Sequence, residues 1–300
     1  MTSDAYGYLR VDDNIFLRYG FWPADNSCYR GSIMVLHGRR DFLEKYDETV
    51  RKLTLRGFDV YSFDWRGQGL STRLLPNRHK GHIKTFEDYI QDLSCVIRHV
   101  VIEHQARLPL FILAHSMGAN IALRYIHDCP DVVSKAVLVA PMIDIVTFPF
   151  PRWFVRCLAR IRIKTGHEDA WVPGSGGGCP GHRFEGNRMT SDRLRFMKEK
   201  TVILQNPALA VYGVTYAWLQ AGLDSIDILR RRGYAKAIQV PVLVAGAEHD
   251  KIVSVRAQKL LCAGSRYLTF VEIPGARHEI LRETDSIQQV FWNEFDSFID

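Results

Sequence analysis

No stretch of ~18 apolar residues free of charge occurs in the chain, so no membrane-spanning helix is predicted. Cysteine is sparse. The six residues Cys28, Cys95, Cys129, Cys157, Cys179 and Cys262 are scattered and form no CxxC pair. Such spacing suits neither a disulfide framework nor a zinc knuckle, and predicts reduced thiols in a cytoplasmic protein. Cys179 and His182 lie close together but lack the further ligands of a closed zinc site, so no metal site is expected. The opening Met1-Thr2-Ser3-Asp4-Ala5-Tyr6-Gly7 has no basic region and no apolar region, which predicts no secretory signal. No internal repeat, zinc finger, RNA-binding signature or heptad is present, and nucleic acid is not an expected partner. The run Gly174-Ser175-Gly176-Gly177-Gly178 lacks the Lys-Ser/Thr of a phosphate-cradling loop and reads as a plain flexible loop.

What is present is an ordinary globular balance. Hydrophobic residues make up 47% of the 300, charged residues 24%, and mean hydropathy is −0.11. Those values exclude a disordered or fibrous chain and fit one large domain, or a core with an insertion. The net charge of +6 is unevenly placed: residues 146–235 hold 14 Lys and Arg against 7 Asp and Glu, and the remainder is nearly neutral. A basic surplus confined to one segment points to a local anionic partner.

Short apolar runs alternate with helical patterns. Tyr8–Val11 and Ile15–Tyr19 flank Asp12-Asp13-Asn14 as an antiparallel hairpin. Ser32–Leu36 and Phe58–Phe63 read as buried strands, with a helix over Leu43–Leu55 ended by Gly57. Thr85 is placed to cap a helix from Phe86 to about His104, with Asp88 completing a capping box. Leu110–Leu113 and Ala136–Val139 are strands around a helix over Gly118–His127. Val240–Ala245 and Tyr267–Ile273 are two more strands, and a helix over Ile287–Ile299 closes the chain. This alternation predicts an α/β fold, a mostly parallel sheet covered on both faces. The core is expected over 1–145 and 236–300, with 146–235 inserted as a helical cap.

Ala114-His115-Ser116-Met117-Gly118 follows an apolar strand directly and opens a helix. That is the setting of a nucleophile elbow, G-x-S-x-G, with alanine at the first flank. Small flanking residues are needed because strand and helix approach closely at a strained turn that thrusts the serine outward. Serine needs a base, and the base needs an orienting acid. Asp250 and His278 each fall just past the end of a strand, in the chain order the elbow chemistry expects. Side chains at the carboxyl ends of parallel strands share one crevice, so the three can converge. Glu248 and Asp144 are the competing acids, ranked behind Asp250, and His249 is expected to point away. The loop after Ile33–Leu36 should supply one oxyanion N–H and the residue after the serine another, which assigns the backbone groups of Arg39 and Met117. His37 reads first as a residue holding that loop.

His37-Gly38, Asp64-Trp65-Arg66-Gly67-Gln68-Gly69-Leu70-Ser71, the Ser116 elbow, Asp250 and His278 together resemble the α/β-hydrolases. More narrowly, the chain is similar to their lysophospholipase and monoacylglycerol lipase branch. The likeness covers nearly the whole core and is least in the cap. It implies an eight-stranded α/β-hydrolase fold with a helical cap. It also implies a serine carboxylester hydrolase without cofactor, acting on a lysophospholipid, a monoacylglycerol or a similar single-chain ester. Asp64 and Gly67 then become structural. Two departures stand: Asp41 where the family usually has Glu, and Ala114 where it has Gly.

The expected cap carries the substrate contacts. Phe148, Trp153, Tyr212, Tyr216 and Trp218, with Leu219, are candidates for the acyl pocket, and His37 is a further candidate contact. Arg152, Arg156 and Arg160 recur at helical spacing beside aromatic residues. They are expected to form a basic face that rests on an anionic membrane, which would make the protein peripheral at the inner membrane surface. Acyl transfer, thioester hydrolysis and C–C hydrolysis on the same scaffold remain open, as does a binding protein without turnover.

Overall fold

The computed structural model describes residues 6–25, 28–103, 109–147, 149–175 and 183–300. Apolar runs become strands wherever both faces of the sheet are covered. In chain order the first elements are strands β1 (Tyr6–Asp12), β2 (Ile15–Trp22) and β3 (Gly31–Leu36), helix α1 (Asp47–Thr54), and strands β4 (Phe58–Phe63) and β5 (Lys80–Gly81). Next come α2 (Glu87–Val96), β6 (Leu110–His115), α3 (Met117–Asp128) and β7 (Lys135–Val139). Then follow α4 (Arg152–Lys164), α5 (Arg193–Gln205), β8 (Gly213–Val214), α6 (Tyr216–Leu229) and α7 (Tyr234–Ala237). The chain ends with β9 (Val242–Ala247), α8 (Val255–Cys262), β10 (Leu268–Ile273) and α9 (Asp285–Ile299).

Eight strands make the large sheet, in the order β1-β2-β4-β3-β6-β7-β9-β10. β1 pairs antiparallel with β2, and β2 antiparallel with β4. All the other pairings in this sheet are parallel. This is the expected eight-stranded, mostly parallel α/β-hydrolase sheet.

Successive side chains of β3 serve opposite layers. Met34 and Leu36 pack into a cluster with Leu93 of α2, Ile121 of α3 and Leu261 of α8. Ile33 and Val35 pack with Val50 and Leu53 of α1 and with Phe291, Trp292 and Phe295 of α9. One short strand therefore helps to fill both cores, and a register slip of one residue would exchange them.

Boundaries move for identifiable reasons. β9 starts at Val242 because Pro241 has no N–H to donate to a ladder. The helix expected over Leu43–Leu55 opens with a 3₁₀ turn, Leu43–Tyr46, before α1. Thr85 Oγ1 accepts the Glu87 N–H at 3.2 Å, and α2 starts at Glu87 with Phe86 as its N-cap, so Thr85 bonds the first helical N–H from one residue before the cap position. α2 continues as a π-helical turn over Ile97–Ile102, and His104 lies outside the described residues. The two-residue strands β5 and β8, which form a small parallel sheet of their own, carry no sequence signal.

Between β7 and β9 lie α4 to α7 and β8. α4 packs on α6, burying Ala159 among Tyr216, Leu219 and Leu223. No helix among the described residues is long and apolar enough to cross a membrane.

Candidate active site

Four loops at the carboxyl ends of β3, β6, β9 and β10 meet at Ser116. The turn between β6 and α3 holds Ser116 at φ 53°, ψ −111°, a conformation that costs on the order of 1–3 kcal/mol for a non-glycine residue. Backbone bonds fix it there. Ser116 N–H donates to Val139 O at 3.0 Å, and its carbonyl accepts from Met142 N–H at 3.0 Å and Asn120 N–H at 3.1 Å. The strain is thus carried by the neighbouring strand end, and the hydroxyl projects from the sheet edge.

His278, in the loop after β10, places Nε2 3.0 Å from Ser116 Oγ and Nδ1 2.7 Å from Asp250 Oδ2. Asp250 sits just past β9, and its other oxygen accepts the N–H groups of Ile252 at 2.8 Å and Val253 at 3.0 Å. Burial works against the Asp250 charge. The hydrogen bond and charge of His278, with the two backbone donors, outweigh it and hold the carboxyl below its ordinary value. An ionised Asp250 therefore faces Nδ1 and leaves Nε2 toward the serine. The competing acids are engaged elsewhere: Asp144 with Arg230 at 2.5 Å, and Glu248 with the Gly275 N–H at 2.7 Å. His249 is exposed, 3.9 Å from Glu248.

Arg39 and Met117 both adjoin the serine. Met117 opens α3, whose first N–H groups have no partner within the helix. Among the described residues neither the Arg39 nor the Met117 backbone N–H is used by another protein group. His37 is fully buried. Its Nδ1 lies 2.8 Å from Gly38 O, and its carbonyl accepts from Trp65 Nε1 at 2.9 Å. It holds the loop and does not reach the cavity.

Asp64 organises the other rim. It accepts the N–H groups of Leu43 at 3.0 Å and Leu70 at 2.9 Å and pairs with Arg18 at 2.9 Å, while Gly69 at φ +51° passes too close for any side chain. Gly67, also left-handed at φ +78°, lets the same loop turn back on itself.

A cavity of about 200 Å³ opens over Ser116 and His278. Its apolar wall is Met189, Phe196 and Ile203 from the segment before β8, with Ile252 from the loop after β9. The aromatic residues singled out from the sequence lie elsewhere. Trp153 is 68% exposed on α4, Tyr212 stacks on His79, and Tyr216 and Trp218 are buried within α6 packing. Phe148 lies outside the described residues. Phe196 and Ile203, seven residues apart on one face of α5, were detectable as a helical stripe. Met189 in a loop carried no signal.

The polar wall is ionic. Lys45 Nζ meets Asp41 Oδ1 and Glu279 Oε1, each at 2.6 Å, and Glu199 at 3.3 Å. Arg282 bridges Glu279, at 2.7 Å, and Glu199. Asp41 also accepts from Tyr46 Oη at 3.0 Å, and His115 bonds the His278 carbonyl through Nε2 at 3.2 Å. The loop that carries His278 is bonded to residues 189–190 as well. Glu279 N–H donates to Met189 O at 2.7 Å, Arg277 Nη1 donates to Thr190 O at 3.0 Å, and Thr190 Oγ1 donates to Arg282 O at 2.6 Å.

The arginine face on α4 is not free. Arg152 pairs with Asp227 at 2.5 Å, and Arg156 pairs with Asp224 at 2.7 Å and Asp227 at 2.6 Å. Those acids lie on α6, so two of the three arginines face protein, and the expected basic membrane face is corrected on this point.

Comparison with known proteins agrees with the geometry. A family model described as Hydrolase_4, "Serine aminopeptidase, S33", matches residues 27–285. The chain is 30% identical to "Probable lysophospholipase L2" of Haemophilus influenzae over 94% of this chain and 88% of that one. It is 32% identical to "Lysophospholipase L2" of Escherichia coli K12 over 86% and 77%. The crystal structure of a soluble variant of monoglyceride lipase from Saccharomyces cerevisiae, in complex with a substrate analog, superposes with TM-score 0.77 at 21% identity, covering 98% of this chain and 94% of that one. With its elbow, its sheet order and a match over most of its length, the chain belongs to the Hydrolase_4 family of α/β-hydrolases.

Proposed function

We propose that this protein is a serine carboxylester hydrolase that cleaves single-acyl-chain lipids, a lysophospholipid or a monoacylglycerol, through an acyl-enzyme on Ser116. The relay Asp250–His278–Ser116, at 2.7 and 3.0 Å beside a cavity with one apolar wall, carries this reading. His278 Nε2 takes the hydroxyl proton as Oγ attacks the ester carbonyl. The developing oxyanion is received by the Arg39 and Met117 N–H groups, each worth ~10²–10³ in turnover. His278 then hands the proton to the leaving alcohol, and water repeats the sequence to free the acid. No step calls for a metal or cofactor. The lysophospholipase and monoglyceride lipase names among the relatives support the single-chain substrate.

Residues 146–235 serve as the cap in this reading. α5 within it supplies Phe196 and Ile203 to the cavity. The same segment turns apolar groups outward. Trp153, Phe154, Cys157 and Ile161 are exposed on α4 beside the exposed cations Arg160 and Lys164, and Leu194, Met197 and Leu204 are exposed on α5. A helix that turns its apolar stripe to solvent and flanks it with cations suits the interface of an anionic bilayer. The protein then works in the cytoplasm, peripheral at the inner membrane surface.

Labelling by a fluorophosphonate probe tests the core of this proposal. Wild type should label and Ser116→Ala should not. Ser116→Ala and His278→Ala should each lose ~10⁴-fold or more in ester turnover. Near-native hydrolysis by Ser116→Ala would refute it.

A further inference from the structure

Arg39 and Arg40 both line the cavity over Ser116, and among the described residues neither is paired with a carboxylate. Arg18, Arg66, Arg195 and Arg282 each meet a carboxylate within 3 Å. Among the described residues Arg39 meets none, and its Nη1 is buried without a hydrogen-bond acceptor. The guanidinium is held over the Trp218 ring, 5.6 Å from its centroid, which orients the side chain and supplies no acceptor. The carboxylates on the same wall are already engaged, Asp41 and Glu279 by Lys45, and Glu199 by Lys45 and Arg282. The neighbouring Arg40 turns its Nε to Val211 O at 2.9 Å.

A buried donor left unpaired is costly, more so when charged, and a ligand acceptor removes that cost. The planar fork of a guanidinium matches phosphate geometry in particular. Burial, with the charge of Arg40 beside it and only a partial offset from Asp41, pushes Arg39 down to about 9, so it stays protonated at neutral pH. Its backbone N–H is one of the two proposed oxyanion donors, and Arg39 lines the same cavity. A group one glycerol away from the ester is therefore what it can reach.

We propose that Arg39 is a specificity-determining residue that binds the anionic phosphate of a single-chain lipid headgroup, so that phosphate-bearing esters are preferred over neutral monoacylglycerols. This rests on the ester-hydrolase reading of Ser116. The test compares two esters of one acyl chain, 1-acylglycerol and 1-acylglycerol 3-phosphate, both as monomers. Wild type should favour the phosphate ester in kcat/KM. Arg39→Gln should lower the phosphate-to-neutral ratio ~10- to 100-fold, the worth of charge-assisted hydrogen bonds, and Arg39→Lys should recover part of it. A ratio unmoved by Arg39→Gln while both esters are still cleaved overturns this inference alone. Failure of wild type to cleave either ester or to label with fluorophosphonate overturns it together with the proposed function.

A binding arm avoids dependence on turnover. In a Ser116→Ala background, titration calorimetry with the phosphate ester should show ~10-fold or greater weakening on adding Arg39→Gln. Equal affinity in the two proteins would overturn the proposal. So would displacement of the lipid by inorganic phosphate at equal concentration, which would mark a free-anion site.

Discussion

A Cβ on Gly118 would stand 2.5 Å from the carbonyl oxygen of His37 and 2.6 Å from that of Leu36. The obstacle is backbone, which cannot swing aside as a side chain can. Gly118→Ala should therefore displace the start of α3 from the end of β3, costing ~1–3 kcal/mol as overpacking does. It should separate the Met117 and Arg39 N–H groups. Urea unfolding should show the stability loss, and fluorophosphonate labelling of Ser116 should slow. Unchanged labelling would mean that the elbow tolerates the shift.

Asp250→Asn tests the acid. An amide can donate toward Nδ1 and favour the wrong imidazole tautomer, with little change in shape. Turnover should fall ~10⁴-fold while thermal unfolding stays close to wild type. A comparable loss in Glu248→Gln or Asp144→Asn would show that the acid is misassigned.

The ionic wall predicts a dependence on acid. Burial opposes the charge of Glu279, but Lys45 and Arg282 outweigh it and hold the carboxyl down at about 2, and Asp41 is held well below its ordinary value by Lys45 and His115 against the same burial. Both carboxyls are depressed on folding, so their stabilisation is complete above the unfolded values of ~4 and fades as pH falls toward the folded ones. Glu279→Gln should destabilise the protein by about 1–3 kcal/mol at pH 7. That difference should shrink between pH 4 and about 2. Urea midpoints of the two proteins at pH 7, 4 and 3 decide it, and a constant gap would count against the assignment.

The proposed docking of the outward face of α4 on a membrane should depend on Trp153, Phe154 and Ile161, and on Arg160 and Lys164. Replacing the three apolar residues by Gln should abolish most co-sedimentation with anionic vesicles. Neutralising Arg160 and Lys164 should cost ~1 kcal/mol each, and less in high salt. Arg152→Gln and Arg156→Gln should instead loosen α4 from Asp224 and Asp227 and lower the melting temperature. Vesicle binding that follows Arg152 and Arg156 and ignores Trp153 would reverse this picture.

The sheet was readable because buried parallel strands are apolar on both faces, and Ile33–Leu36 or Leu110–Leu113 admit few other interpretations. Ser116, Asp250 and His278 were readable because each lies one turn past such a run. The cavity wall was not. Phe196 and Ile203 sit on a helix whose docking depends on contacts with Lys45 and Arg282, far away in sequence. The partners of Arg152 and Arg156 lie about 70 residues downstream on α6, and spacing within α4 alone could only suggest a solvent-facing basic stripe. Tyr216 and Trp218 looked like pocket residues because an aromatic in a helical segment has the same signature whether it faces a ligand or a neighbouring helix.

The bonds between residues 187–192 and the loop around His278 make those two stretches one cooperative unit. Met189, Thr190 and Ser191 give or receive bonds from Glu279, Arg277, Arg282 and Glu283. Local opening there cannot leave the imidazole where it stands. The free energy that protects the amides at the start of α5 against exchange is then the same quantity that holds His278 against Ser116, and a variant that frays one will spend a matching fraction of its time with that contact open.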